Sequence, residues 1–249
     1  MKIVLLILVV YALVLLFALA RRAPVRKNPK PASRGWGNRM HILIIGATGG
    51  TGRQLVQQAL DLGHQVTAFV RKSAKLKMEH PNLRVAQGNV LDYASLESAM
   101  RGQSAVVCAL GHKRFFYPTR ILSEGTHNIL RAMKAGHIPR LVCESSLGVG
   151  NSVGRLGLLF TLFVIPVILP FVFWDKVRQE KLIEESDTDW IIVRPAVLTN
   201  RPARGNYRHG PDVGNYVLSN CIARADVADF MLKQLTDDAY LGQATAVSW

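Results

Sequence analysis

"HILIIGATGGTGRQLVQQALDLGHQVTAFVRKSAKL" runs from His41 to Leu76 and decides how the chain folds. His41–Ile45 is a short apolar run of strand character. Gly46, Gly49 and Gly52 follow as G-x-x-G-x-x-G. Leu55, Val56, Ala59 and Leu62 then recur at helical spacing, and "HQVTAFV" reads as a second strand. A glycine motif alone is a weak signal. Set between a strand and a helix, it lets the backbone approach a pyrophosphate, while the helix N-terminus offers unpaired N–H groups and a positive dipole end.

Arg71 and Lys72 close the second strand, about twenty residues past the glycines. A site selective for NAD usually carries an acid there, for the ribose hydroxyls. A basic pair suits the 2′-phosphate of NADP instead, with Lys75 near enough to help.

The pattern then repeats. "LRVAQGNVLD" predicts a third strand, with Asn89 and Val90 flanking the adenine. "AVVCALG" predicts a fourth, with Leu110 and Gly111 near the cofactor. "TRILSEGTHNILRAMKAG" predicts a crossover helix, "RLVCESS" a fifth strand and "WIIVRPAVL" a sixth. "DVADFMLKQL" reads as a late helix and "ATAVSW" as a terminal strand. Strands alternating with helices specify an α/β fold with a Rossmann-like, doubly wound parallel sheet.

Charge is distributed unevenly. The 249 residues carry 31 Lys and Arg against 17 Asp and Glu, a formal +14. Residues 1–39 hold eight of the basic residues and no acid, so most of the excess belongs to the leader. No nucleic-acid-binding motif accompanies it. The three cysteines, Cys108, Cys143 and Cys221, have no metal or CxxC spacing, and Cys108 and Cys143 read as small buried hydrophobes. His112, His127 and His209 show no spacing for a metal or a triad, so no metal is expected.

"IVLLILVVYALVLLFALA", Ile3 to Ala20, is eighteen apolar residues. As a helix it rises about 27 Å, enough to cross a hydrocarbon core. The basic stretch from Arg21 to Arg39 favours the cytoplasmic side. The expectation is a single-pass transmembrane anchor over 1–20, a Pro- and Gly-containing linker over 21–39, and a nucleotide-binding domain over 40–249 that faces the cytoplasm. A cleaved signal peptide is the rival, since "ALA" at Ala18–Ala20 mimics a cleavage site.

A second apolar run, "LLFTLFVIPVILPFVFW" from Leu158 to Trp174, has no charge and one polar side chain, Thr161. A full span there would strand "WIIVRPAVL" and "ATAVSW" across the membrane from the sheet they complete. Pro166 and Pro170 also oppose a straight helix. Two readings remain: a Pro-kinked segment packed near the substrate cleft, or a monotopic loop touching membrane lipid. The length and uniform apolarity favour the second.

"GATGGTG", "VRKSAKL", "GNVLD", "SEGTHNILRAMKAG", "CESSLGVG", "RPAVLTNRPARGNY" and "ADVADFMLKQL" together resemble the atypical short-chain dehydrogenase/reductases, in particular the NAD(P)H-binding, NmrA-like group that includes biliverdin reductase B. The resemblance covers about residues 40–249. It implies cofactor contacts at Gly46, Thr48, Gly49, Gly50, Thr51, Arg71, Lys75, Asn89 and Val90. Ser145 matches a serine beside the nicotinamide, and Pro195 to Leu198 would line the carboxamide end. Classical members of the wider family add Tyr-x-x-x-Lys as proton donor and helper. No tyrosine lies between Tyr117 and Tyr207 here, although Lys176 is placed to take the lysine's role. The histidine of biliverdin reductase B is replaced by Ala196.

The expected function is therefore an NADP-dependent oxidoreductase. Its acceptor would be a small molecule or a lipophile that needs no side-chain acid, such as a flavin, quinone or carbonyl. Ser145 and Lys176 are the candidate catalytic residues. The missing tyrosine keeps open a non-catalytic NADP-binding sensor or assembly factor. An epimerase or dehydratase is a weaker third reading. Glu180, Glu184 and Glu185, with Lys176 and Lys181, read as an exposed helix face with i,i+4 pairing.

Overall fold

The computed structural model describes residues 39–111 and 117–249. The expected anchor, the linker apart from Arg39, and His112 lie outside the described residues.

The elements follow in chain order: β1 (His41–Ile45), α1 (Gly50–Asp61), β2 (Gln65–Val70), β3 (Leu83–Gln87), α2 (Tyr93–Met100), β4 (Ala105–Cys108), α3 (Ile121–Ala135) and β5 (Arg140–Glu144). A π-helical turn (Phe160–Ile168) leads into α4 (Pro170–Glu184). Then come β6 (Asp189–Pro195), β7 (Val197–Thr199), β8 (Arg208–Gly210), β9 (Cys221–Ala223), α5 (Arg224–Lys233) and β10 (Gln243–Ser248). The main sheet has the order β3-β2-β1-β4-β5-β6-β10-β8 and is parallel except at β8. β7 and β9 form a separate two-stranded parallel sheet. This is the Rossmann-like doubly wound architecture.

The strands are apolar on both faces because helices cover both. Ile42 and Ile44 of β1 pack with Leu55, Val56 and Ala59 of α1 and with Val227 and Met231 of α5. Leu43 and Ile45 point the other way, into a core with Leu96 of α2 and Ile129 and Met133 of α3. Cys108 and Cys143 are opposite each other on β4 and β5 and are buried. The hydrogen bond with the neighbouring Cys108 thiol, and then burial, push the Cys143 thiol well above its ordinary range.

Two expected strands end early. β3 stops at Gln87, and the chain turns where Asn89 accepts from the Leu91 amide and Asp92 caps α2 through the Ala94 amide. "WIIVRPAVL" divides at Ala196, with β6 in the main sheet and β7 in the small one.

The exposed-face reading of α4 is half corrected. Lys181 and Glu185 do pair at the surface, 3.6 Å apart. Glu180 instead lies inside, in a bidentate pair with Arg194 of β6 (3.0 and 2.7 Å). The sequence spacing of charges carried no sign of Arg194, which is distant in the chain and buries the carboxylate.

The apolar run is packed along one side and exposed along the other. Phe160, Ile165 and Leu169 pack onto the core, whereas Leu158, Leu159, Leu162, Phe163, Val167 and Trp174 are exposed. Pro166 sits where the Leu169 amide reaches back five residues to the Val164 carbonyl, a wider turn than the α-helix. Pro170 starts α4, where its missing N–H costs nothing. The two helices meet at 96°, and among the described residues no single helix is long and apolar enough to cross a membrane.

Candidate functional site at the carboxyl edge of the sheet

Strand order reverses between β1 and β4, so the connections after these strands leave in opposite directions and open a crevice at their carboxyl ends. The glycine turn fills the floor of it. Gly46 has φ +84°, and a β-carbon there would lie 2.3 Å from the Ala109 carbonyl oxygen that follows β4. A β-carbon on Gly52 would lie 2.1 Å from the Gly46 oxygen. The Gly49 amide donates to that same oxygen at 2.8 Å and closes the turn. Helix α1 starts with no side-chain cap and no acid in its first turn. Its first amide N–H groups have no partner within the helix and point at the crevice mouth.

Two arginines frame this turn, and neither was among the residues singled out in the sequence. Arg53 donates through Nε to the Thr48 carbonyl (3.3 Å) and through Nη2 to the Lys75 carbonyl (3.1 Å). It ties the glycine turn to the short turn Ser73–Lys75 after β2. Arg71, Lys72 and Lys75 are all exposed on that turn. Arg224, the first residue of α5, lies across Gly50, whose β-carbon would be 2.5 Å from Arg224 Cδ. Its guanidinium donates to Asn200 Oδ1 at 2.7 Å. The only hint of Arg53 in the sequence is a cation directly after the third glycine. Arg224 has none, because it comes from the far end of the chain.

Val90 and Leu110 are brought together by α3. A β-carbon on Gly125 would be 2.9 Å from Val90 Cγ2 and 3.2 Å from Leu110 Cδ2. Asn128 also donates to the Val90 carbonyl at 3.0 Å. Asn89 and Gly111 remain exposed at the mouth.

Beyond β4 the edge is formed by the ends of β5 and β6. Ser145 is buried, its amide donates to Val193 O at 2.7 Å, and its hydroxyl has no partner. A buried hydroxyl left unmatched costs free energy unless a ligand or water completes it. Pro195 is buried at the end of β6. The Thr51 hydroxyl turns inward and donates to Glu144 at 2.9 Å, so Thr51 faces the crevice through its backbone. Burial pushes the Glu144 carboxyl up, opposed by Lys176, the Thr51 hydrogen bond and Arg224.

Lys176 is half-buried on α4, and its charge also acts on Cys108 and Cys143. The helix that carries it is locked by a row of buried polar ties. Asp175 accepts from the Leu122 and Ser123 amides (2.9 and 3.1 Å) and from the Ser123 hydroxyl (2.5 Å), capping α3 from outside. Gln179 donates to Thr126 at 3.0 Å, and Glu180 holds Arg194. Lys176 is thus within electrostatic reach of the ends of β4 and β5, where Cys108, Cys143 and Glu144 lie.

A tyrosine and lysine do meet elsewhere, Tyr207 and Lys233, 3.3 Å apart in a cavity of about 230 Å³ lined also by His209, Gln234 and Tyr240. Burial and the hydrogen bond to Asp229 push the Tyr207 phenol up to about 12, opposite to what a proton-exchanging tyrosine needs. His209 is exposed there, 2.7 Å from the Tyr240 hydroxyl, and His127 is exposed on α3. No group of three His, Cys, Asp or Glu converges on a metal-sized space among the described residues.

A glycine turn closed on the switch point, an uncapped helix end and a basic rim define a dinucleotide-binding α/β protein. The profile of the NAD(P)H-binding family matches residues 46–238, and the chain belongs to that family. An Arabidopsis thaliana protein named as uncharacterized and chloroplastic is 29% identical over 210 residues, 79% of this chain and 72% of that one. A Streptomyces griseus (4-alkanoyl-5-oxo-2,5-dihydrofuran-3-yl)methyl phosphate reductase is 25% identical, over 83% of this chain and 67% of its own length. The photosystem II assembly factor Ycf39 of Synechocystis is 32% identical over 111 residues, so the chain matches 43% of itself to only 34% of that protein. A short-chain dehydrogenase/reductase of Veillonella parvula in complex with NADP shares the fold, with a TM-score of 0.69 and 17% identity over 85% of this chain and 95% of that one.

Proposed function

We propose that the protein is an NADP(H)-dependent oxidoreductase of the atypical short-chain type. The observation that carries this is the carboxyl edge itself. The glycine turn and five cations, Arg53, Arg71, Lys72, Lys75 and Arg224, stand around the carboxyl end of β1, and the unmatched Ser145 hydroxyl lies at the end of β5. The residues fit a dinucleotide along its whole length. Gly46, Thr48, Gly49, Gly50, Thr51 and Gly52 hold the pyrophosphate, with Arg224 beside it. Arg71, Lys72, Lys75 and Arg53 meet the 2′-phosphate, and Asn89 and Val90 the adenine. Leu110, Gly111 and Pro195 flank the nicotinamide. When bound, a reduced nicotinamide supplies a hydride. Ser145 donates a hydrogen bond at that end, and Lys176 orients the ribose.

With no activated tyrosine beside Ser145 among the described residues, the fitting acceptors take their proton from water, as flavins and quinones do. Holding donor and acceptor in contact then supplies most of the acceleration. NADPH oxidation by the purified protein against flavins, quinones and aldehydes tests this. Ser145→Ala should lower kcat by about tenfold, the loss of one positioned hydrogen bond, and leave NADP affinity nearly unchanged. If NADP binds tightly and no acceptor oxidises NADPH above background, the non-catalytic reading holds. The missing Tyr-x-x-x-Lys and the likeness to an assembly factor favour that second reading.

Selectivity for NADP follows from the basic rim. Arg71→Asp should weaken NADP by about 10- to 100-fold, matching the 1.5–3 kcal/mol of a hydrogen bond to a charged group, and spare NAD. Calorimetric titration of both nucleotides checks it, and equal affinity of the unmodified protein for the two would overturn it.

The same proposal places residues 1–20 in a membrane as a single-pass anchor. Residues 21–39 form a linker, and the domain of residues 40–249 faces the cytoplasm. The basic flank and absence of acid in 1–39 support this orientation. Protease protection of a C-terminal tag in intact cells tests it, and a tag digested from outside would refute it.

A further inference from the structure

The exposed part of the apolar run does not stand alone. The chain returns to it about fifty residues later, where Tyr216, Val217 and Leu218 are themselves exposed, Leu218 by 67%. The two segments are physically joined. The Leu158 amide donates to the Val217 carbonyl at 3.2 Å, and a β-carbon on Gly157 would lie 2.7 Å from the Leu218 backbone. Leu156 and Asn215 form an isolated parallel bridge beside them. Asn215 also accepts from the Val217 and Leu218 amides at 2.7 and 2.9 Å, holding that tip in a fixed turn. Two chain-distant segments therefore present one apolar face. Leu159 (63%), Phe163 (54%), Val167 (58%) and Val217 (63%) are among its exposed members. Single exposed apolar side chains need no explanation, but a contiguous patch of this kind marks a contact surface.

We propose that this face, the 158–167 turn and the 216–218 tip together, docks on the surface of a lipid bilayer containing anionic headgroups. Three observations select lipid over another protein. The patch has an interfacial rim: Trp174 is exposed with Arg178 stacked on its ring, and Tyr216 is exposed with its hydroxyl 3.4 Å from Arg155 Nε. Amphipathic aromatic rings beside cations suit the headgroup layer. The charge is complementary, since the chain is formally +14 and its basic excess is heaviest in 1–39. The same chain carries the apolar stretch 3–20, joined by nineteen residues whose extended reach of about 60 Å holds the domain next to any bilayer that stretch enters.

Docking sets the orientation of the site. Ile165, on the packed side of the turn, lies 3.3 Å from where a Gly148 β-carbon would be, and Gly148 is on the loop after Ser145. The loop that follows Ser145 thus lies directly beneath the docked face. The acceptors that reach it from this side are lipophiles dissolved in the bilayer.

The inference rests on the membrane-anchored reading, and the test separates the two. Nitroxide labels are placed at Phe163→Cys, at Val217→Cys and, as a control at the opposite edge of the sheet, at Leu62→Cys in the full chain. Each variant is mixed with phosphatidylcholine–phosphatidylglycerol vesicles, and NADP titration verifies an intact nucleotide site. Collisions with oxygen, relative to a water-soluble nickel chelate, should rise several-fold at 163 and 217 and stay low at 62. If the protein floats with the vesicles while 163 and 217 respond to nickel like 62, the anchor stands and the docking face is wrong. If it does not float and all three labels are water-exposed, both readings fall. Shielding of 163 and 217 from both reagents, with dipolar broadening between copies, would make the face a dimer interface and also overturn the proposal.

Discussion

Gly52→Ala is expected to abolish nucleotide binding, with at least a hundredfold loss of NADP affinity. The added carbon would sit 2.1 Å from the Gly46 oxygen, 2.7 Å from the Gly46 carbonyl carbon and 2.9 Å from the Ala47 α-carbon. All three are backbone atoms, so no side chain can swing away. The start of α1 must move off the turn, and its free N–H groups then miss the pyrophosphate. Forcing one methyl into so tight a contact costs about 1–3 kcal/mol of stability, so the protein should stay folded and fail to bind. Gly63→Ala is the control. Gly63 has φ +80° but open space around it, at the other end of α1. It should lose about 1–2 kcal/mol for the left-handed backbone and keep its NADP affinity. Calorimetric titration beside a thermal melt separates the two effects. A Gly52→Ala protein that binds like the parent would mean that the glycine turn is not the pyrophosphate cradle.

Glu180→Gln should be the most destabilising change in α4. Glu180 and Arg194 have side chains only 4% exposed each, and the pair is bidentate. The amide keeps one acceptor oxygen but loses the charge and turns an NH2 donor toward the guanidinium, which stays buried with Asn151 Oδ1 as its other side-chain acceptor. Breaking such a pair from one side costs about 3–5 kcal/mol. For a domain of this size that lowers Tm by about 6–20 °C. Lys181→Ala, one residue on, loses only an exposed i,i+4 pair and should change stability by no more than about 0.5 kcal/mol. The comparison is a direct reading of burial, since the two positions differ by one residue in sequence. Equal melting temperatures for the two variants would show that the Arg194 pair is hydrated in solution. Because Arg194 immediately precedes Pro195 and holds Asn151, Glu180→Gln should also loosen the β5 and β6 ends around Ser145.

The order of strands and helices was legible because a parallel sheet covered on both sides demands continuous apolar runs. The connections at its carboxyl edge demand glycine and polar residues. Gly46, Gly49 and Gly52 announced the tight turn after β1 for a local reason: a backbone turn this close admits no side chain. Arg71 and Lys72 were legible as the basic pair that directly follows β2, and both are exposed there. What escaped the sequence was set by contacts between distant segments. Glu180 looked like one more surface acid until β6 brought Arg194 against it. Arg224 reached Gly50 of the glycine turn only because α5 packs beside α1. Thr51 kept its place in the motif but turned its hydroxyl to Glu144, which only the pairing of β5 with its neighbours puts underneath. The apolar run was legible as apolar, yet hydrophobicity alone does not say which side of a segment is covered. Packing against the core partly covered Phe160 and Ile165, the latter beside Gly148, and the 216–218 tip came alongside the side that was left open. Local backbone sterics and periodicity act within a few residues and can be read from the sequence. The pairing of buried charges and the choice of an exposed face depend on which parts of the chain become neighbours, and that is decided only when the whole sheet has assembled.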